Sequence, residues 1–220
     1  MVNVAVIKSL VKREIMLEFR QKYALGGILL YVVGTVFISY LSFKNIIHPA
    51  TWNALFWIIL LFASINAIAK SFISESKGKQ LYHYSLVSAQ DYILSKIIYN
   101  SALMLLISLI CFVTYSVFIS NIVQDNLFFL LSVALGSLGF SAILTMVSAI
   151  AAKTGSNFSL MAILSFPMLI PLLLTLIKVS KNAVDGLDRS LSLTYFVVIL
   201  AINVIVVMLS YILFPYLWRD

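Results

Sequence analysis

The sequence predicts an all-α integral membrane protein, on three observations. Hydrophobic residues make up 62% of its 220 residues, charged residues only 10%, and long apolar runs recur between short basic loops. Ordinary globular chains are roughly 45–50% apolar and about 25% charged, whereas the mean hydropathy here is +1.07. A water-soluble fold of this length has no interior large enough to hide that apolar surface. The solvent must be mostly lipid. Ile and Val abound, so strands are the rival, but a membrane barrel alternates apolar and polar residues over segments of about ten. These runs are unbroken and about twice as long. Helices win.

A hydrocarbon core of ~30 Å needs about 20 helical residues. Six segments qualify: Ala24–Phe43, Trp52–Phe72, Ile97–Ile119, Leu127–Ala152, Phe158–Ile177 and Leu193–Phe214. The first is longer than the ~7–15-residue apolar core of a signal peptide and shows no obvious small-residue cleavage site, so it is expected to be retained. The chain reads as one membrane domain over 1–220. It comprises a cytoplasmic interfacial arm over 1–23, a six-helix body over 24–214 and a tail over 215–220.

The formal charge is +7. Because Lys and Arg sit between apolar runs, they are expected to set membrane orientation rather than bind nucleic acid. With the N-terminus inside, one side carries Lys8, Lys12, Arg13, Arg20, Lys22, Lys70, Lys77, Lys79, Lys96, Lys153 and Arg219. The other carries only Lys44, Lys178, Lys181 and Arg189. Both ends are therefore expected in the cytoplasm.

Absences narrow the function. The eight glycines form no phosphate-cradling GxxxxGK[ST] loop. No acid lies near the middle of a predicted span, which disfavours a proton-coupled pump, and no charged ring or filter sequence marks a pore. His48 and His83 fall in loops on opposite sides and cannot converge on one metal or nucleophile. The single Cys111 excludes a disulfide within the chain and a cysteine-based metal site. The chain is expected to do no bond chemistry, to hold no cofactor and to draw its energy from a separate ATPase gripping its cytoplasmic loops.

Two cytoplasmic elements stand out. In the arm Val4–Lys22, at 100° per residue, Lys8, Lys12, Arg13 and Arg20 share one side of a helix while Ile7, Leu10, Val11, Ile15 and Leu17 share the other. That suits a helix lying among lipid headgroups. Glu14 and Glu18 interrupt the apolar side, and Glu18 can pair with Lys22. The bland reading is an anchor helix with ordinary surface pairs; the sharper one has Arg13 or Glu14 touching the cytoplasmic loops or the ATPase. The second element is the loop Lys70–Lys96. Gly78 can end a helix there, and Ser88 with Asp91 reads as the start of the next. Between them the Tyr- and Leu-rich KQLYHYSL forms a docking surface or, more plainly, places Tyr82, Tyr84 and Tyr92 in the interface aromatic belt.

Three stretches carry a family resemblance: KREIMLEFRQKYAL at Lys12–Leu25, SFISESKGKQLYHYSLVSAQDYILSKIIYN at Ser71–Asn100, and LFPYLWRD at Leu213–Asp220. With six spans in 220 residues, the chain resembles the CcmB family, the permease subunit of the cytochrome c maturation ABC transporter, also called haem exporter protein B. The resemblance implies a bacterial inner-membrane location, a CcmA-like cytoplasmic ATPase carrying the ATP, and CcmC-like and CcmE-like partners. It implies haem as the cargo of the complex, with ATP use driving release of a haem-loaded chaperone, and such transporters commonly pair two permease chains. It also implies that an acid, a glycine and a leucine-rich turn in a coupling segment over 73–90 engage the ATPase. Glu75, Gly78, Leu81, Tyr82 and Leu86 occupy those places, although relatives carry a second acid where this chain has Gln80 and Tyr82, and a proline where it has Ala89. The alternatives are an exporter permease for a lipid or polysaccharide, and a scaffold that transports nothing.

Inside the spans, Ser137, Ser141, Thr145 and Ala149 recur at i,i+4 with Gly136 and Gly139 nearby, a helix-packing face. Gly26, Gly27 and Gly34 invite the same reading. Asn66, Asn100 and Asn203 are expected to bond between helices. Pro167 and Pro171 favour a bend in the fifth span. Phe214, Tyr216 and Trp218 are expected in the interface belt.

Overall fold

The computed structural model describes the backbone of residues 3–20, 22–43, 48–69, 87–153 and 158–219, and the side chains of all of these except 19, 20, 22–25, 158–160 and 219. Seven helices account for nearly all of them: α1 (Val4–Arg20), α2 (Lys22–Ser42), α3 (Pro49–Ile68), α4 (Ala89–Ile119), α5 (Asn126–Lys153), α6 (Phe158–Val184) and α7 (Arg189–Arg219). Helices α3 to α7 are each long and apolar enough to cross a bilayer, and α2 is apolar over Gly26–Ser42. This is a helical membrane protein.

Bonds at the two ends of the bundle fix the direction of its helices. At one end Trp52 Nε1 donates to the Ser120 carbonyl at 3.0 Å and the Asp125 amide donates to the Ala183 carbonyl at 3.0 Å. Arg189 clasps Asp125 at 2.7 Å on the same side. The starts of α3, α5 and α7 thus lie beside the ends of α4 and α6. At the opposite end Ser148, near the end of α5, reaches Ala69 just past α3. Tyr92 in the first turn of α4 stacks on Phe214 near the end of α7, with ring centroids 6.1 Å apart. Neighbouring helices from α3 onward therefore run up and down.

The helices outrun the apolar segments. α4 begins at Ala89, eight residues before the predicted span, because Ser88 caps it: the Asp91 amide donates to Ser88 Oγ at 3.1 Å. The Ser88 start signal holds, but Asp91 does not return the bond; its carboxylate accepts the Asn3 amide at 3.0 Å. α6 continues through Pro167 and Pro171 to Val184, so Lys178 and Lys181 are helical rather than loop residues. α7 opens at Arg189 and runs past Pro215 to Arg219. Apolarity marks where lipid begins, not where a helix stops bonding.

The expected packing face of α5 is the seam of the fold. Ser137, Ser141 and Thr145 are fully buried. They meet Ser108, Ser101 and Asn100 of α4 at 2.9, 2.6 and 2.8 Å. Behind them α5 touches α3 and α6 so closely that a Cβ on Gly136 would sit 2.9 Å from the Trp57 ring. One on Gly139 would sit 2.6 Å from Leu172 and from Asn203 Oδ1. Asn203 also bonds across helices, donating to the Leu135 carbonyl at 3.1 Å; Asn66 makes no such bond among the described residues. Unforeseen was a buried knot of α3 and α6, in which Ser180 Oγ accepts from Trp57 Nε1 at 2.7 Å and donates to Asn53 Oδ1 at 2.8 Å.

Two expectations need correction. Gly26, Gly27 and Gly34 do not pack against the described residues: a Cβ on each would meet none of them within 4 Å, because among its described side chains α2 turns only Val32 and Val36 fully inward. Phe214 and Trp218 also face the protein. They pack with Tyr92 and Leu10 in a second, smaller core, and only Tyr216 stands outside, 71% exposed. Lys96 is no loop lysine; it lies in the second turn of α4 and is 2% exposed.

Candidate functional site

The charged residues of α1 and α4 meet at the end of the bundle shared by Ala69, the first turns of α4 and the last turn of α7. The described chain leaves α3 at Ala69 and resumes at Val87, just before α4, on this end. Glu75, Gly78, Leu81, Tyr82 and Leu86, together with His83, lie outside the described residues, as does the side chain of Arg20. The site is therefore built from the residues that flank the segment.

α1 packs along the start of α4 with an apolar stripe and a polar one. Leu10 and Ile7 are buried, and Leu10 shares the small core with Ala89, Tyr92, Ile93, Ile97 and Phe214. On the same face, one and two turns further along, sit Glu14 and Glu18. Glu14 reaches into α4: Lys96 Nζ donates to Glu14 Oε2 at 3.1 Å, while Arg13 Nη2 donates to Oε1 at 2.6 Å. The Lys96 ammonium lies 5.7 Å from the centroid of the Tyr92 ring, and the same ring meets Trp218 at 4.8 Å. Glu18 lies next to Tyr99, one turn beyond Lys96. At the start of the arm Asn3 holds Asp91. Three contacts thus run in the same direction along both helices.

The residue that Glu14 meets is helical, Lys96 in the second turn of α4, and not one of the loop residues of the sharper reading. The amphipathic pattern also needs revision. The face towards the protein carries Ile7, Leu10, Glu14 and Glu18, whereas Val4, Ile15 and Met16 are exposed beside Lys8 and Lys12. Glu14 interrupts the apolar stripe where it meets Lys96.

Magnitudes define the character of the pair. Two unit charges 3.1 Å apart attract by about 5 kcal/mol at an effective dielectric of about 20. Removing each ion from water costs several kcal/mol, and Lys96 and Glu14 are only 2% and 12% exposed. Attraction and desolvation nearly cancel, so the pair adds little net stability. Removing one partner alone leaves a buried charge and is expensive. Lysine is almost never this buried unless paired. Its lack of exposure was invisible in the sequence, where Lys96 reads as one more cytoplasmic cation.

The opposite end is stitched differently. Asp125 accepts the Phe128 amide at 3.2 Å at the start of α5 and is clasped by Arg189 through both guanidinium contacts. That hydrogen bonding holds the Asp125 carboxyl below its ordinary range. Arg189 also lies over the Phe128 ring at 5.3 Å. His48, just before α3, is exposed at this end. Among the described residues, no three of His, Cys, Asp and Glu gather where they could hold a metal ion.

Long antiparallel apolar helices, a buried seam of small residues and a charge cluster confined to one end define a polytopic membrane protein. A family model described as CcmB protein matches residues 5–216, and the chain belongs to the CcmB family. It is accordingly a membrane component of a cytochrome c maturation system. No curated protein and no solved structure matches the chain.

Proposed function

We propose that the chain is the permease subunit of an ATP-driven cytochrome c maturation complex in the bacterial inner membrane. It crosses the bilayer six times, through α2 to α7, with both termini and the segment 70–86 in the cytoplasm. It hydrolyses nothing itself. A CcmA-like ATPase docks on the coupling segment at Glu75, Gly78, Leu81, Tyr82 and Leu86, and the work it delivers drives haem handling with CcmC-like and CcmE-like partners. The arm α1 lies at the headgroup layer, where exposed Lys8 and Lys12 face anionic lipid.

The observation that carries this reading is the convergence at one end of the bundle. Segment 70–86 departs at Ala69 and returns at Ser88, on the side that holds α1 and the end of α7. An ATPase bound there meets every element through which it can act.

Two measurements test it. Single cysteines at Ser76 and Asn121, probed with a membrane-impermeant maleimide in cells and inverted vesicles, must label from the cytoplasmic and the opposite face respectively. The reverse pattern overturns the topology. In a reconstituted complex, the ATPase must co-purify with the parental chain and be lost with Gly78→Pro. ATP-dependent release of the haem-loaded chaperone that proceeds without this chain sinks the permease role and leaves a scaffold.

A further inference from the structure

We infer that Lys178, Lys181 and Tyr195 form a binding site for the phosphate headgroup of an anionic phospholipid. The site lies at the end of the bundle that carries the Asp125–Arg189 clasp. It requires neither the ATPase nor a particular direction of insertion.

Three observations converge. First, the lysines continue an exposed apolar stripe of α6. Ile163, Ile170, Leu174, Lys178 and Lys181 fall within an arc of about 80° at 100° per residue, and each is exposed. The apolar stretch Phe158–Ile177 rises about 30 Å, the thickness of a hydrocarbon core. Lys178 is the next residue and Lys181 lies one turn further. A bilayer matched to that stretch sets its phosphates beside both ammonium groups, which extend towards headgroups on long apolar stems.

Second, the protein supplies these cations with no anion. Neither lysine forms an ion pair among the described residues. Asp125 is taken by Arg189 at 2.7 Å, and Asp185, just past the end of α6, pairs with neither. The negative end of the α6 dipole favours cations in its last turns, but that field selects no side of the helix. Like charges one turn apart repel, and a phosphate shared between them relieves the repulsion.

Third, α7 completes the site. The Lys178 ammonium lies 5.9 Å from the centroid of the Tyr195 ring, which holds it at the boundary of α6 and α7. One turn nearer the middle of the bundle, Leu174 and Val198 are both exposed on those two helices. A headgroup on the lysines lays its acyl chain over them. That continuity of charge with apolar surface selects a lipid over free phosphate.

The test places bimane at Thr194→Cys, exposed beside Tyr195, in a Cys111→Ser background of the whole chain. In bilayers of dioleoylphosphatidylcholine, quenching by doxyl-labelled phosphatidylglycerol is compared with quenching by doxyl-labelled phosphatidylcholine. A lysine near a membrane surface is worth about fivefold in affinity for anionic lipid, so the reporter chain should favour phosphatidylglycerol at least fivefold. Lys178→Gln/Lys181→Gln should bring the ratio to within twofold of parity, and Lys178→Arg/Lys181→Arg should keep it. Lys8→Gln/Lys12→Gln, at the opposite end, should leave it unchanged. Parity in the reporter chain, or an equal ratio in the glutamine variant, overturns the site. A preference abolished by inorganic phosphate overturns lipid as its occupant.

Discussion

Replacing Glu14 by Gln removes one charge and keeps the shape, so its consequence can be worked from the geometry. The 3.1 Å approach to Lys96 contributes about 5 kcal/mol of attraction at an effective dielectric of about 20. The desolvation already spent on the lysine is not recovered when the glutamate goes. Breaking a buried pair from one side typically costs about 3–5 kcal/mol. Lys96 can regain water only if α1 lifts off α4, which exposes Ile7 and Leu10. The free energy of that local opening should therefore fall by about 3–5 kcal/mol. At tenfold per ~1.4 kcal/mol, the open population rises by roughly 140-fold to 3,700-fold. Amide hydrogen exchange in α1 of the detergent-solubilised chain reads this directly, because docked and open states exchange through local unfolding. Glu14→Gln should accelerate α1 exchange by that factor and leave the α5 seam protected. Adding Lys96→Met removes the charge that Glu14 faced and should bring exchange back to within about tenfold of the parent. Exchange of α1 in Glu14→Gln within threefold of the parent would refute the reasoning, since Lys96 would then be shown to tolerate burial without its partner.

Other outcomes follow from the packing and the outer end. Gly139→Ala forces a Cβ to within 2.6 Å of Leu172 and Asn203 and should lower stability by about 1–3 kcal/mol. Gly34→Ala meets open space and should hold or raise the melting temperature, by up to ~1 kcal/mol of helix propensity; equal losses at the two sites would discredit the packing described. Ser180→Ala strands the Trp57 N–H and the Asn53 oxygen, costing about 1–3 kcal/mol, as a denaturation series should register. For Asp125, the folded pKa lies below the unfolded one because of the Arg189 hydrogen bond. Its stabilisation is thus complete above the ordinary carboxylate range near 4 and is lost as pH falls through the folded value. Arg189→Gln should move the Asp125 midpoint upward in a carboxyl NMR titration; an unmoved midpoint would mean that the clasp is absent in solution.

Periodicity and length made most of the body legible. Apolar runs located α3 to α7, and the Ser137–Ser141–Thr145 spacing identified the inward face of α5, because in lipid small polar side chains are retained mainly where helices touch. Ser88 announced the start of α4 through its chemistry as an N-cap. What the sequence withheld was partnership. The glycines of α2 have the same small size as Gly136 and Gly139, yet one set meets nothing and the other meets Trp57 and Leu172; only tertiary contact separates them. Lys96 was read as a loop cation because apolarity, not hydrogen bonding, set the edge of the span. Tyr92, Phe214 and Trp218 carry the composition of an aromatic belt, and nothing local tells a belt from a core. Asp125 and Arg189 are 64 positions apart, which no spacing rule connects.

The length of α4 explains why an ion pair belongs at this end and hydroxyls belong elsewhere. Its 31 residues extend about 46 Å at 1.5 Å each, against ~30 Å of hydrocarbon. The apolar stretch Ile97–Ile119 alone fills that thickness, so the residues from Ala89 to Lys96 stand about 12 Å beyond it. Asp91, Tyr92 and Lys96 therefore lie in the length of α4 beyond its apolar stretch, where α1 packs alongside and covers the lysine. Within the hydrocarbon, polar contacts between α4 and α5 are instead made by Ser101, Ser108 and Asn100 with neutral partners. Neutral contacts fasten two helices without demanding water when they part. A charge pair fastens them only while both partners are present and can be released into the adjacent aqueous layer.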